Sequence, residues 1–576
     1  MTKLYKRFSA AMLAAVLAFS MTACKADHTK DKEKEPVETE NTDSKNEAKD
    51  TKSADPFGAY ENEITVTVGR QTLQNPKMPE GDTYEDNAYT RWLKDRLNIK
   101  ITDEFEANGD DYNRQVSLAL SAGEIPDMMK VVSQDELIEL YENDLIADLT
   151  DAYHTYASDY LKEVYASYGD RALNNVTFDG KIIALPGTNA DSGPSEVWIR
   201  SDWMEQLGIT VDEDNNNCIT IEELEMVARE FMDKNPGKAE NVVGIALIPW
   251  LTSGDSDGTF SMNSIAYAMG AFPKTWMKVD GKAVYGSTTQ ETKNAMVKVA
   301  EWFKTGLLDP QLGTRTWDDI SALLANGQTG ITFGTWHIPD WLLNNVRAMD
   351  SKAAFEAYVI EDANGKVNCK HNDATAGYIV VRKGYEYPEA AVKIANLFYD
   401  ELVNSKALGE KYPEVMKYQA DGVDGSVRPF NIEVNSYTSL LDDYSDIKGG
   451  VSGEIAIEDA RTTESKNVIS NIKNYLADPA NAEIVDWSKY HSRMKGIALI
   501  QSLTESDTFV WLTPIFPQTT QTMETNWANL GKLEEEAFIK MATGAIEVEA
   551  GFDQFVKEWY SQGGEQIISE IEEQLK

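Results

Sequence analysis

The sequence predicts an α/β protein, and two observations carry that reading. Apolar stretches with a period of two alternate with stretches of helical character, the pattern of strands and helices that builds parallel sheets. The body, residues 59–576, holds no Pro/Gly-rich linker and no internal repeat. It is long enough for two or more domain-sized units and a sizeable core. An undivided α/β body of that size fits two lobes that share crossing strands.

The elements follow in order. Glu63-Ile64-Thr65-Val66-Thr67-Val68 alternates polar and apolar residues and predicts a strand. A Gly/Pro-containing loop at residues 75–81 leads to a helix over residues 87–97. Residues 98–101 predict a strand and residues 112–121 a helix. Gly123-Glu124-Ile125-Pro126-Asp127-Met128-Met129 then turns into the next strand. Residues 244–248 read as a strand ending at Pro249-Trp250. A helix over residues 295–304 stops at Gly306, a C-cap signal. Asp309-Pro310 opens a loop before a helix at residues 318–324. Residues 330–333 read as a strand that ends at Gly334. Trp198 and Trp203 flank a strand and a helix and are assigned to the core.

The N-terminus carries an address. Lys3, Lys6 and Arg7 precede an apolar run over residues 10–19, and Ser20-Met21-Thr22-Ala23 leads to Cys24. The run is too short to span a bilayer as a stable helix, so it reads as a secretory signal. It resembles a bacterial lipoprotein signal, with residues 1–23 removed and Cys24 lipidated. Met21 stands where leucine is commonest in that motif. Residues 24–58 form the lipidated tether. They are almost entirely Lys, Glu, Asp, Thr, Asn and Ser, with no aromatic before Phe57. Such a stretch buries too little apolar surface to order itself.

Charge excludes partners. The formal charge is −41, and loss of the three basic signal residues takes it to −44. A surface so acidic repels phosphate backbones, so nucleic acid is excluded. Polyanionic substrates are disfavoured unless a local basic pocket overrides the average. Cys218 and Cys369 remain after Cys24, and two cysteines make no disulfide framework. Whether they pair stays open.

One metal motif is specific. Asp212, Asp214, Asn216, the Cys218 carbonyl, Thr220 and Glu223 fall at positions one, three, five, seven, nine and twelve of an EF-hand calcium loop. Asn217 stands where glycine is usual, and asparagine tolerates the left-handed turn. The expected cofactor is a structural Ca²⁺. The competing reading makes Thr220 and Glu223 a helix capping box. Catalytic motifs are weaker. Gly254-Asp255-Ser256-Asp257-Gly258 matches a hydrolase elbow, but two carboxylates beside the serine would repel an oxyanion. Catalytic residues are therefore assigned to none. Neither a zinc motif nor a phosphate loop is present.

Taken together, the segments resemble the extracellular solute-binding proteins of ABC importers, in the carbohydrate-type family. The likeness is to its larger oligosaccharide-type lipoproteins of Gram-positive bacteria. The residues that carry it include Thr90-Arg91-Trp92-Leu93, Ser121-Ala122-Gly123-Glu124-Ile125-Pro126-Asp127 and Phe178-Asp179-Gly180-Lys181. Trp198-Ile199-Arg200-Ser201-Asp202-Trp203, Gly306-Leu307-Leu308-Asp309-Pro310, Gly334-Thr335-Trp336 and Arg428-Pro429-Phe430 continue it. Phe552-Asp553-Gln554-Phe555 and Gly563-Gly564 close it.

The resemblance implies a periplasmic-binding-protein-like fold of two lobes with ligand in the cleft between them. Lobe 1 would take residues 59–185 and return at 371–450. Lobe 2 would take residues 186–370 and 451–576. The implied function is capture of an oligosaccharide outside the cell for an ABC importer, by a monomer held at the membrane through lipid. A peptide or another solute is the alternative ligand, and a surface polysaccharide-degrading enzyme is the alternative class.

Sugar C–H faces pack on aromatic rings, so the candidate ligand residues are mainly tryptophans. In the family, a Gly-x-Trp at a strand end enters the cleft, which singles out Trp336; Trp341 lies on the following helix. Trp250 and Asp257 stand at and beyond a strand end, where α/β sheets bind ligands. Asp86 and Asn87 resemble family positions near the cleft mouth, and Trp511 precedes Thr513-Pro514. Core packing or a solvated turn is the competing role for each.

Overall fold

The fold is that of a computed structural model, which describes residues 55–575 except 170, 255–257 and 406. The signal sequence, Cys24 and residues 25–54 of the tether lie outside the described residues, as does Asp257.

The strands run in chain order as β1 (Ile64–Thr72), β2 (Ile99–Asn108), β3 (Met128–Val131), the hairpin β4–β5 (Thr177–Phe178 and Lys181–Ile182) and β6 (Leu185–Thr188). Then come β7 (Glu196–Arg200), β8 (Cys218–Ile219), the hairpin β9–β10 (Trp276–Val279 and Lys282–Tyr285), β11 (Ile331–Gly334) and β12 (Phe355–Ile360). The last are β13 (Val367–Lys370), β14 (Thr375–Val381) and β15 (Phe509–Leu512).

Two main sheets result, one per lobe. The first has strand order β2-β1-β3-β14-β6, and the second β11-β7-β12-β8. Both are mixed rather than parallel. β1 runs parallel to β2 and β3, while β14 is antiparallel to β3 and β6. In the second sheet β7 is antiparallel to both β11 and β12. The departure from the parallel expectation has a simple cause: β7 and β14, each the first strand of a main sheet after a crossing, run opposite to the other strands of their sheets.

Each lobe has its own core. One joins residues 64–185 to residues 374–434, with Trp92, Leu93, Ile101, Val131 and Val380 at its centre. The other lobe holds two adjoining clusters, around Trp302, Phe333 and Trp559 and around Trp198, Phe355 and Trp487. Trp198 and Trp203 are buried, as expected of core residues.

The local chemistry explains the elements. Helix Ala88–Leu97 starts at a capping box made by Asn87 and Thr90 and stops at Asn98, whose left-handed backbone (φ 58°) turns the chain into β2. The expected strand over residues 244–248 is a correction. It makes only a single bridge, Ile245 to Leu308, and otherwise runs as a buried loop whose Ile248 N–H bonds the Phe260 carbonyl. Its apolar residues fill the core without a continuous strand partner. The tether also ends earlier than Gly58. Lys393 and Asn396 donate to the carbonyls of Gly58 and Pro56, at 2.7 and 3.0 Å, and pin residues 56–58 to the first lobe. Cys218 and Cys369 are both free and buried. Among the described residues, no helix is long and apolar enough to cross a membrane.

Candidate functional site

Topology identifies the faces that border the crossings. The chain leaves the first lobe at the end of β6 and enters the second at the start of β7. It returns between β13 and β14 and leaves the first core again after Val434. The end of β6, the start of β14 and the C-terminal ends of β1 and β3 therefore lie on the hinge side of the first sheet. The start of β7 and the C-terminal end of β11 lie on the hinge side of the second.

Trp336 stands two residues beyond the end of β11. Its ring is half-buried beneath the Arg493 guanidinium, 5.0 Å from the ring centroid. Gly496 lies flush against it, since a β-carbon there would come within 2.7 Å of the Trp336 Cβ. The indole N–H is enclosed without a protein partner. Arg493 is itself held by Asp340 and by Glu464.

Trp341 is more open, with 38% exposure. Its indole N–H donates to His337 Nδ1 at 3.0 Å, which fixes the ring. It stacks on Trp317, with centroids 6.0 Å apart and planes 18° from parallel. Trp317 is also 38% exposed and backs onto Phe260 at 4.6 Å. The Phe260 N–H bonds the Phe333 carbonyl of β11, so this aromatic ladder is tied to the strand that delivers Trp336. Trp317 was not singled out in the sequence; it opens a helix, where an aromatic ordinarily reads as core. Trp250 is 39% exposed on the adjoining loop.

The remaining candidates separate. Asp86 is exposed and paired with Arg91 at 2.9 Å. Asn87 is completely buried and fully engaged: Oδ1 accepts from Tyr89 and Thr90, and Nδ2 donates to the Thr83 and Tyr84 carbonyls. It acts as a helix cap, and no polar atom is left for a ligand. Trp511 is half-buried on β15 and lies flat on His371, with centroids 4.6 Å apart and planes 8° from parallel.

His371 belongs to a knot that the sequence did not reveal. Asp191 sits on the first crossing segment, with its side chain almost fully enclosed. Its Oδ2 accepts from His371 Nδ1 at 2.5 Å and from the Tyr437 hydroxyl at 2.6 Å. Its Oδ1 accepts from the Asn372 N–H at 2.6 Å. One carboxylate thus joins all three crossings. Burial, followed by this bond to Asp191, pushes the Tyr437 hydroxyl well above its ordinary pKa.

The acidic loop at residues 212–223 closes on itself. Asp212 accepts from the N–H groups of Asn216 and Asn217, and Glu223 accepts from those of Asp212 and Thr220. Asn217 has the left-handed backbone the motif requires, φ 60°. The capping box of Thr220 and Glu223 is present too, so both readings are built into one loop. Among the described residues, no group of three Asp, Glu, His or Cys side chains is gathered around a common point. The donor set is nonetheless all oxygen, as a hard cation needs. Glu361 lies beside the loop, and burial together with Glu223, Asp214 and Asp212 raises its pKa.

Two α/β lobes joined by three crossings define the fold of a solute-binding protein. The model of the bacterial extracellular solute-binding protein family matches residues 75–401, and the chain belongs to that family. It is 23% identical over 477 residues to the polygalacturonan/rhamnogalacturonan-binding protein YtcQ of Bacillus subtilis (strain 168), covering 80% of this chain and 83% of that one. Among solved structures it resembles an HMO binding, ABC-transporter-associated solute-binding protein of Bifidobacterium longum infantis, with TM-score 0.57, 16% identity and 88% and 97% of the two chains covered. It also resembles an EF-hand mutant of the S. pneumoniae substrate-binding protein FusA in complex with fructo-nystose, with TM-score 0.53, 15% identity and coverage of 88% and 98%. A third is the alginate-binding protein AlgQ2 without calcium ion, with TM-score 0.52, 14% identity and coverage of 90% and 99%.

Proposed function

We propose that this protein captures an oligosaccharide outside the cell and hands it to an ABC importer. The observation that carries the reading is the stacked pair of Trp341 and Trp317, tied through Phe260 to β11, the strand that leads to Trp336. Flat exposed indoles suit the C–H faces of successive sugar rings, and a peptide has no comparable repeating flat face. Trp250, exposed on its loop, and Trp511, stacked on His371, are assigned to the same ligand surface in this reading. Binding by lobe closure then reports occupancy to the permease. The three crossings support lobe boundaries near residues 185, 371 and 435, the last one earlier than the expected 450 because the core of the first lobe ends at Val434.

Residues 1–23 act as a lipoprotein signal in this reading. Cys24 carries the lipid that holds the protein at the outer membrane face, and acylation on a single cysteine by two or three chains is a firm anchor. The protein works as a monomer and is a binder, not an enzyme. The loop at residues 212–223 holds Ca²⁺ through Asp212, Asp214, Asn216, the Cys218 carbonyl, Thr220 and Glu223. The ion fixes a surface loop. The oxygen-only donor set and the EF-hand turn at Asn217 support this assignment.

A thermal-shift panel of oligosaccharides tests the function. A ligand at 100 times its dissociation constant adds about 2.7 kcal/mol to stability. Chromatography of the same mixtures separates the classes, since sugar cleavage by the purified protein would make it an enzyme. A panel that shifts only with peptides would overturn the carbohydrate reading.

A further inference from the structure

Two tryptophans of the proposed ligand surface meet at one imidazole. His337 is half-buried and stands edge-on to the Trp336 ring, with centroids 5.2 Å apart and planes at 90°. Its other aromatic neighbour is Trp341, one helical turn on, with centroids 6.4 Å apart. The Trp341 indole N–H lies 3.0 Å from His337 Nδ1. An indole nitrogen can only donate, so Nδ1 accepts and the ring proton sits on Nε2. The contact therefore needs the neutral imidazole. In the imidazolium Nδ1 also carries a proton, and two N–H groups would face each other. This bond is the ring's single polar anchor, because an indole has one N–H. Beyond it, the 38% exposed ring is held by the stacked Trp317.

The other charges around this helix are committed elsewhere. Arg493, over the Trp336 ring, and Lys489 both meet Asp340, and both approach Glu464. Arg347 donates to the carbonyls of Ala353 and Pro479, and Asp350 pairs with Arg200. On the helix that opens with Trp317, Asp318 is exposed and Asp319 accepts from the Thr316 N–H. Asp255 and Asp257 lie outside the described residues. The other described histidines are placed differently. His491 is buried, which holds its pKa down to about 3, His371 bonds Asp191, and His154 packs edge-on to Tyr153.

We propose that His337 positions Trp341 for the ligand and links capture to pH: the neutral ring holds the indole in place, and the imidazolium releases it. The inference rests on the oligosaccharide reading and adds a proton to it. Because the sugar binds the neutral form better, affinity falls as pH drops through the imidazole range. By the same linkage, binding at the acid end expels a proton.

Two measurements test it. Ligand-free protein with isotope-labelled tryptophan reports the Trp341 indole N–H by magnetic resonance, assigned by its loss in Trp341→Phe. That signal should shift between about pH 8 and about pH 5, where imidazoles titrate. It should stay put in His337→Asn, whose amide oxygen replaces Nδ1 as acceptor and does not titrate. Calorimetric titrations then use tetrasaccharides of glucose, xylose, galactose and galacturonate. The tightest of these should bind about three- to tenfold more weakly at the acid end. His337→Asn and Trp341→Phe should both flatten that profile, and His337→Phe, with no acceptor, should bind weakly throughout. An indole signal indifferent to pH, a flat wild-type profile, or a profile that survives in His337→Asn overturns the link and leaves the oligosaccharide reading standing. Binding of no sugar while the indole still titrates overturns the oligosaccharide reading and, with it, the link to capture.

Discussion

Trp341 and Trp336 both follow β11 in the chain, yet they are held differently, and that difference decides how each responds to substitution. Trp341 presents an open face and is fixed by one bond to His337 and one stacked neighbour. Trp341→Ala should therefore weaken sugar binding by about 2 kcal/mol, roughly thirtyfold, with little change in melting. Trp336 is wedged between Arg493 and Gly496, so Trp336→Ala should lower affinity and melting temperature together. Titration and melting of both variants separate the roles. Intact affinity in Trp341→Ala would remove the ladder from the site. At this scale the sequence is only half legible. A Gly-x-Trp at a strand end points to Trp336 directly, whereas Trp317 gains meaning only from neighbours distant in the chain. Asn87 misleads for the opposite reason, because the residue type that binds sugars also caps helices.

Among elements, the loop at residues 212–223 combines a metal motif with a helix cap, and the two make different demands on Glu223. As a cap it needs one oxygen for the Thr220 N–H, which a glutamine supplies equally well. As the closing ligand it needs both oxygens and their charge. Chelation should lower the melting temperature of the wild-type protein, and Glu223→Gln should erase the difference between chelated and calcium-loaded samples. Equal melting of the wild type in both conditions would leave only the cap. Element boundaries were legible where local chemistry sets them, as at Asn98, which ends a helix by adopting the left-handed turn. They were not legible at residues 244–248. An apolar run declares burial, and only the tertiary arrangement decides whether a strand lies alongside to pair with it.

At the scale of the whole molecule, capture of a ligand requires two lobes to close and reopen about segments that are otherwise unremarkable in sequence. The two-lobed α/β class could be expected from the alternation of strands and helices together with the family likeness. The hinge could not, because Asp191, His371, Asn372 and Tyr437 are scattered over three separate crossings. Their convergence on one enclosed carboxylate couples those crossings mechanically, since no segment can twist without straining the other two. Asp191→Ala would leave a tyrosine hydroxyl, a histidine N–H and a backbone N–H without their acceptor, at about 1–3 kcal/mol for each group that water fails to reach. The consequence should be local before it is global. Hydrogen exchange should quicken at residues 189–195, 371–374 and 435–438, while the strands β1 and β7 keep their protection. Small-angle scattering should show a smaller difference between ligand-free and sugar-loaded protein, because a loosened hinge samples closed arrangements without ligand. Affinity should change although Asp191 lies outside the proposed sugar contacts. Exchange that quickens at one crossing alone, with scattering and affinity unchanged, would reduce the knot to an ordinary buried hydrogen-bond cluster with no part in closure.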